Sequence, residues 1–246
     1  MRQKVFSMLA LLLMTAVGAT AQTTYTVTVK DGTEDAAKWS ADPNPAREGQ
    51  SVTIKYNGTK KVKRVTAVQK ALRPLAEATT ADLGKIAGAD GNIYNTKAAA
   101  EAAYTQAVAM IAYVGSETDH AAYKHGLAIA LADEDGLTNW STAESTCEAK
   151  NTSTGVANAS WMLPSKDQWK AMFKANGGDE GWYTGLNTAL ATAGGDSSKL
   201  QEFASYWSST PYGKDEAWRV YPTQGVASWY NYYWGGAPRT RACLVF

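Results

Sequence analysis

The N-terminal quarter of the chain alternates apolar and polar residues with the two-residue period of half-buried strands. Residues 23–30 read T-T-Y-T-V-T-V-K, and residues 51–56 and 61–68 continue the alternation on either side of Asn57-Gly58, a dipeptide typical of tight hairpin turns. The apolar positions are few, so the core would be small for an independent domain. The pattern predicts a small all-β module over residues 22–70.

The pattern then changes to apolar runs of strand length and to helical stripes. Residues 108–114 and 125–131 are almost wholly apolar, as in the inner strands of a covered sheet. Ser165 and Gln168 form the capping-box pattern that begins a helix. The apolar residues with helical spacing are Trp140, Ala143 and Cys147, and then Trp169, Met172 and Phe173. Strands mixed with helices in this way predict an α+β domain.

The first 21 residues have the composition of a secretory signal peptide. Arg2 and Lys4 precede an apolar run over residues 5–17, and Ala19-Thr20-Ala21 matches a signal-peptidase site. The run is too short for a stable membrane span, so we expect cleavage, no membrane insertion afterwards, and a periplasmic, cell-surface or extracellular protein. The predicted division is a signal peptide over residues 1–21, a small β-sandwich-like module over 22–70, a linker over 71–81 and the α+β domain over 82–246.

The composition of the 246-residue chain favours a surface that contacts other molecules. The chain has 13 Tyr and 9 Trp but 4 Phe, and Tyr and Trp combine a large apolar ring with a polar group. The formal charge of +1 becomes −1 when Arg2 and Lys4 are removed, and no block of basic residues is present. Nucleic acid is therefore not expected as a partner.

The chain has two cysteines, Cys147 and Cys243. In an oxidising compartment they most simply form one disulfide, worth about 4–5 kcal/mol in the chain-entropy model. The alternative is a reactive or metal-binding thiol pair, although neither cysteine has a His, Cys or acidic partner at ligand spacing. The acidic segment 133–136 lacks the alternating acids of a calcium loop and is interpreted as a solvated turn. We predict no metal and no cofactor.

The last forty or so residues concentrate the aromatic rings of the chain. Strand-like runs at residues 216–221 and 240–246 bracket the sequence W-Y-N-Y-Y-W at 229–234, which is followed by Gly235-Gly236. Strand alternation would place Trp229, Asn231 and Tyr233 on one side and Tyr230, Tyr232 and Trp234 on the other. We expect the side that begins with Tyr230 to be the more exposed. Exposed aromatic clusters mark binding sites.

Four short motifs follow one another in the second domain. They are L-P-S-K-D-Q-W at residues 163–169, Y-W-S-S-T at 206–210, A-W at 217–218 and R-T-R-A-C-L-V-F at 239–246. Over residues 82–246 this order resembles the exported bacterial domains of C-type-lectin/sulfatase-modifying-factor architecture that are common in gut Bacteroidetes. The module at residues 22–70 resembles the short immunoglobulin-like modules that precede lectin-like domains in such proteins.

The resemblance implies a C-type-lectin-like fold in which a helix-borne cysteine is bridged to the final strand. In the variable proteins of this superfamily that retroelements diversify, the C-terminal region forms an exposed binding face, and the matching segment here is residues 212–234. Its Tyr, Asn, Trp and Ser content also resembles an antibody paratope. Trp207, Trp218 and Arg241 are assigned to the scaffold. The candidate ligand-binding residues are Tyr212, Lys214, Asp215, Trp229, Tyr230, Asn231, Tyr232, Tyr233 and Trp234.

Two activities of the superfamily are not expected here. The Glu-Pro-Asn, Gln-Pro-Asp and Trp-Asn-Asp triplets with which animal lectins hold calcium and sugar are absent. The formylglycine-generating enzymes need a catalytic cysteine pair in the C-terminal half, whereas Cys147 lies in a predicted helix.

We therefore predict an exported protein that is not an enzyme and binds a protein or glycan at a cell surface through its aromatic C-terminal face. The first alternative is a structural or assembly subunit whose aromatic residues pack against a neighbouring chain. The second is a glycan-active enzyme. No Ser/His/Asp order, metal cluster or phosphate loop is visible. Asp215 or Glu216 paired with Asp179 or Glu180 would still provide the two carboxylates of a glycoside hydrolase.

Overall fold

A computed structural model gives the fold of the protein as two compact units. One unit comprises residues 1–72 with 101–104, and the other comprises residues 73–100 with 105–246. The residues that the structure describes are 6–7, 24–25, 39–42, 46–47, 53–57, 72–103, 105–178 and 182–246.

The first unit contains short antiparallel strands. They are β1 (Phe6–Ser7), β2 (Thr24–Tyr25), β3 (Trp39–Asp42), β4 (Ala46–Arg47) and β5 (Thr53–Tyr56). The order β1-β5-β3 forms one sheet, and β2 pairs with β4. The predicted strand at 61–68 lies outside the described residues, and the immunoglobulin-like arrangement stays a prediction. The signal peptide also stays a prediction, and cleavage after Ala21 would remove β1.

The second unit mixes helices with antiparallel sheets. Its strands are β6 (Ile86–Gly88), β7 (Ile93–Tyr94), β8 (Ala107–Val114), β9 (Gly126–Ala130), β10 (Ser160–Met162), β11 (Tyr206–Pro211), β12 (Glu216–Thr223), β13 (Val226–Tyr233) and β14 (Cys243–Val245). The helices are α1 (Lys97–Ala102), α2 (Trp140–Ser153), α3 (Lys166–Ala175) and α4 (Thr184–Gly194). The mixture of helices and strands that the sequence predicts is confirmed, whereas the C-type-lectin-like arrangement stays a prediction.

Local sequence signals account for where the helices begin. The Ser165 side chain accepts a hydrogen bond from the backbone of Gln168, whose side chain in turn accepts one from the backbone N–H of Ser165, so the predicted capping box is present. Helix α2 begins at Trp140, because the Asn139 side chain accepts the N-cap hydrogen bond from the Thr142 N–H.

The segment before β6 is part of the second unit, although it falls largely in the predicted linker. Leu75–Glu77 and Thr80–Asp82 form short 3-10 helices, and Leu75 is buried in the core. The Asp82 carboxylate is almost fully buried. Burial alone would raise the pKa of this carboxyl group, but hydrogen bonds from Lys85, Thr79 and Arg73 outweigh burial and hold it well below its usual range.

The core of the second unit lies on both faces of a sheet with the strand order β10-β14-β9-β8-β6-β7. On one face, Leu244, Ala128 and Ile111 pack in a cluster with the α2 residue Cys147. On the other face the cluster combines α3 and α4 with the intervening strand residues, among them Trp169, Met172, Leu186, Leu190, Leu127, Ile129 and Cys243. The central strands are therefore apolar throughout because helices cover both sides of the sheet.

The predicted disulfide between Cys147 and Cys243 is wrong. Both cysteines are free and buried. Cys147 belongs to the cluster that contains Leu244, whereas Cys243, the preceding residue of β14, belongs to the opposite cluster. Successive side chains of a strand point to opposite faces, so the two sulfur atoms lie on different sides of the sheet. Burial raises the pKa of both thiols.

The acidic segment at residues 133–136 is not simply a solvated turn, because Asp133 takes part in a buried ion pair. The Arg241 Nε donates to the Asp133 carboxylate at 2.6 Å. The guanidinium is 1% exposed and also donates to the carbonyl oxygens of Ala130, Ser198 and Lys199. The assignment of Arg241 to the scaffold is consistent with these contacts, which join β9, the segment just before β14 and the loop after α4.

We predict that Arg241→Met destabilises the protein by about 3–5 kcal/mol. The substitution removes the buried cation of the ion pair and leaves the Asp133 carboxylate with the partly exposed Arg239 as its remaining cation among the described residues. Urea unfolding followed by tryptophan fluorescence measures the change. The matched control is Arg239→Met, because Arg239 contacts the same carboxylate at 3.4 Å but is 33% exposed, and its loss should cost less than about 1 kcal/mol. Equal costs for the two substitutions would contradict this role for Arg241.

We also predict that neither thiol reacts with Ellman's reagent in the native protein, since burial suppresses the thiolate form and blocks access. Both thiols should react after unfolding in denaturant. Mass spectrometry of the protein recovered after export should show two reduced cysteines. A mass two hydrogens lower, with a peptide linking Cys147 to Cys243, would contradict the free-thiol assignment.

Candidate functional site

The aromatic segment forms one arm of a regular hairpin. The strands β11, β12 and β13 make an antiparallel sheet in that order. Gln224 and Gly225 connect β12 to β13 with φ angles of 47° and 87°, as in the type I′ turns that suit the twist of a two-residue hairpin. Pairing begins at Thr223 with Val226 and continues without a register shift to Glu216 with Tyr233. This register decides which rings lie side by side.

One face of the hairpin, which we call the arginine face, comprises Arg219, Tyr221, Tyr230 and Tyr232. The Arg219 guanidinium carbon lies 4.0 Å from the Tyr232 ring centroid and 5.9 Å from that of Tyr230, both within the range of cation–π attraction. The Tyr221 ring meets Tyr230 edge-on at 6.4 Å. Buried Trp207 lies against Tyr232 at 6.1 Å. The tyrosines are therefore supported from the protein side.

The guanidinium of Arg219 keeps unused hydrogen-bonding capacity. Its Nη1 donates to Ser205 Oγ at 3.1 Å, but its Nε is buried and has no acceptor among the described residues. No carboxylate in the described part of the chain forms an ion pair with it. Because this Nε is enclosed by the protein, it is not presented to a ligand at the surface.

The opposite face, which we call the lysine face, comprises Lys166, Tyr212, Trp218 and Trp229. The Lys166 ammonium, at the start of α3, lies 3.2 Å from the Trp218 ring centroid and 5.4 Å from that of Trp229. The Tyr212 ring meets Trp218 edge-on at 4.9 Å. Burial, together with the positive charge of Lys170, lowers the pKa of Lys166.

The far end of the hairpin is fixed to helix α2 by Trp234. Its ring stacks on Trp140 with centroids 4.9 Å apart. Its backbone N–H donates to the Asp215 carbonyl at 3.0 Å, and its carbonyl accepts from the Trp140 N–H at 2.9 Å. The Trp234 indole N–H is buried and has no acceptor among the described residues. Trp234 therefore fixes the end of the hairpin to α2, next to the exposed residues Tyr232 and Tyr233.

The predicted ligand-binding residues lie together on this hairpin and the adjoining turn, and their role in binding stays a prediction. Half-buried Trp229 and Trp234 support the structure. The expected division of the aromatic run into a more and a less exposed side is only partly found: Tyr230 and Tyr232 are 50% and 38% exposed, but Tyr233 from the other side is 64% exposed. Side chains on both faces of the hairpin are therefore exposed near the C-terminal end of β13. The residues that are exposed are Tyr212, Lys214, Asp215, Tyr230, Asn231, Tyr232 and Tyr233.

Three residues of the site were not predicted from the sequence. Trp218 was assigned to the scaffold, yet it is partly exposed between Lys166 and Tyr212. Arg219 could have been found by counting back from a turn at Gln224-Gly225, which places it opposite Tyr230. No local signal identifies Lys166, because its contact with Trp218 depends on how α3 packs on the sheet.

The described residues show no arrangement for metal chemistry, since no three His, Cys, Asp or Glu side chains in them are grouped to hold an ion. Glu216 accepts a hydrogen bond from the Asn231 amide at 2.9 Å. The carboxylates suggested as its hydrolytic partners, Asp179 and Glu180, lie outside the described residues. Within the described part of the chain, no helix has the length and apolar character to cross a membrane.

Comparisons with known proteins leave the family open. No protein-family model and no curated protein matches the chain. Among solved structures, a fimbrial protein from Bacteroides ovatus aligns with a TM-score of 0.49 and 13% identity. The alignment covers 91% of this chain and 64% of the fimbrial protein. A likeness of this degree assigns neither a fold family nor a function.

Proposed function

We propose that this is an exported binding protein that presents the aromatic hairpin to a protein or glycan ligand at a cell surface. One observation carries the proposal. Among the described residues, eight large hydrophobic side chains are exposed, and four of them are the tyrosines 212, 230, 232 and 233 of this single hairpin and its adjoining turn. Clustered exposed rings are uncommon on a surface without a partner.

The support behind the rings favours binding over general surface stickiness. Arg219 and Trp207 brace Tyr232, and Tyr221 braces Tyr230, so these rings have little freedom to lose when a ligand arrives. Association is opposed by the ordering of side chains, and rings that are already held reduce that cost.

The export part of the proposal rests on the leader sequence. Arg2, Lys4 and the apolar run at residues 5–17 precede a small-residue cleavage site. A binding protein with this leader would act outside the cytoplasm, where a protein or glycan on a cell surface is accessible. We propose no enzymatic activity.

We predict that Tyr232→Ala weakens ligand binding by about 2 kcal/mol or more, about a 30-fold rise in Kd. Tyr230→Ala should have a similar effect. Arrays of immobilised glycans and of cell-surface proteins would first identify a ligand for the full-length, exported chain, and titration calorimetry would then measure Kd. Leu137→Ala is the matched control, since Leu137 is 61% exposed but belongs to the loop before α2 and not to the hairpin.

The proposal fails if the tyrosine variants bind as tightly as the unmodified protein, or if Leu137→Ala weakens binding to the same extent. Circular dichroism of each variant should be unchanged, because the substituted rings are exposed and contribute little to the core.

A further inference from the structure

We propose that the free edge of β13 pairs with the same strand of a second copy, antiparallel, with Asn231 opposite its own counterpart. Among the strands that the structure describes, β13 pairs with β12 alone. A single bridge between Trp182 and Val226 covers the start of its other edge. Ala227 is buried as well, whereas residues 229–233 are partly or fully exposed and form the part of the edge that remains for pairing.

The backbone groups that face outward follow from the hairpin register. The Trp234 N–H donates to the carbonyl of Asp215, the residue directly opposite it. In an antiparallel pair, hydrogen-bonded and non-hydrogen-bonded positions alternate. The even-numbered residues of β13 therefore bond to β12, and both backbone groups of Trp229 and Asn231 and the N–H of Tyr233 point to the free edge. The Tyr233 carbonyl already accepts a hydrogen bond from the Gly236 N–H at 2.8 Å.

This edge has none of the features that usually keep sheet edges apart. Residues 226–233 contain no proline and no charged side chain, and the pairing with β12 runs their full length without a bulge. An exposed, regular and uncharged edge is a template for another strand. A second copy of the chain is the occupant that the sequence of the edge itself favours.

The register centred on Asn231 makes the strand complementary to itself. It places Trp229 opposite Tyr233 of the second copy and Tyr230 opposite Tyr232 of the second copy. Aromatic pairs of this kind stabilise antiparallel sheets, and no like charges oppose each other. The central pair, Asn231 with its counterpart, also exchanges two backbone hydrogen bonds.

Charges on the lysine face are complementary in the same register. Lys166 forms no ion pair with a carboxylate among the described residues, and Glu216 is bonded only to the Asn231 amide there. Two strand spacings, about 10 Å, would separate Glu216 from Trp229 of the second copy, against which that copy's Lys166 rests. Symmetry repeats this approach of opposite charges.

Pairing would also enlarge the proposed binding face. It joins the hairpin sheets of both copies edge to edge and brings Tyr230 and Tyr232 of one copy beside those of the other. The inference depends on the geometry of the edge and not on the ligand, so each can fail separately. A protein that forms the dimer but binds no ligand would contradict the proposed function and leave the pairing intact.

Proline at Asn231 tests the pairing directly. Asn231→Pro removes an N–H that points away from β12, so the hairpin should keep its internal bonds while losing the central intermolecular one. Asn231→Ala is the matched control, since it loses the same amide contact with Glu216 but keeps the N–H. Light scattering after size exclusion should give a dimer for the full-length, exported chain and for Asn231→Ala, and a monomer for Asn231→Pro.

A cross-linking measurement keeps the test decisive if the proline variant does not fold. In the proposed register, Asn231→Cys should form a covalent dimer on mild oxidation, because the two Cα atoms would be about 5.5 Å apart. Val226→Cys on the same strand should not, because its two copies would be more than about 30 Å apart. The buried native thiols should not contribute. A monomeric chain at all concentrations, or equal cross-linking at both positions, would overturn the proposal.

Discussion

The buried Arg241 guanidinium is the contact on which the arrangement of the second unit depends. It donates to Asp133 and to three carbonyl oxygens from two segments, and the hydroxyl of Tyr206 donates to the same carboxylate. Burial and the negative charge of Asp133 raise the pKa of Tyr206 to about 12, so the hydroxyl keeps its proton for that bond. Tyr206 begins β11, and the cluster thereby connects the core sheet to the hairpin sheet that carries the exposed rings.

The aromatic hairpin has a cation on each face, and both cations come from the protein itself. Arg219 lies against tyrosines on one face, and Lys166 lies against tryptophans on the other. An ammonium or guanidinium group held against a ring costs little desolvation compared with one buried alone. The same contacts therefore stiffen the hairpin and leave positive charge near its surface. Structural support and candidate binding chemistry are provided by the same side chains.

The sequence predicted the elements whose signals are local. The capping box at Ser165, the apolar strands and the aromatic run could be identified because each depends on neighbouring residues. The turn at Gln224-Gly225 was missed because Gln is an unusual residue at a left-handed position, and without it the partners of Tyr230 and Tyr232 could not be assigned. The disulfide was wrong because the export context says nothing about which face of the sheet Cys243 occupies. The position of Lys166 needed the packing of α3.

The separation of the two cysteines has a consequence for how the chain folds. A preprotein that crosses a membrane unfolded would expose both thiols to an oxidising environment before the sheet has formed. A bond between them at that stage would tie together two side chains that must finish on opposite faces of β14, and the sheet could not close around it. In such a compartment folding and oxidation would compete, and the native state would be reached only by chains that bury Cys147 and Cys243 first. Rapid burial of the two thiols would then protect the chain from a disulfide that is incompatible with the native sheet.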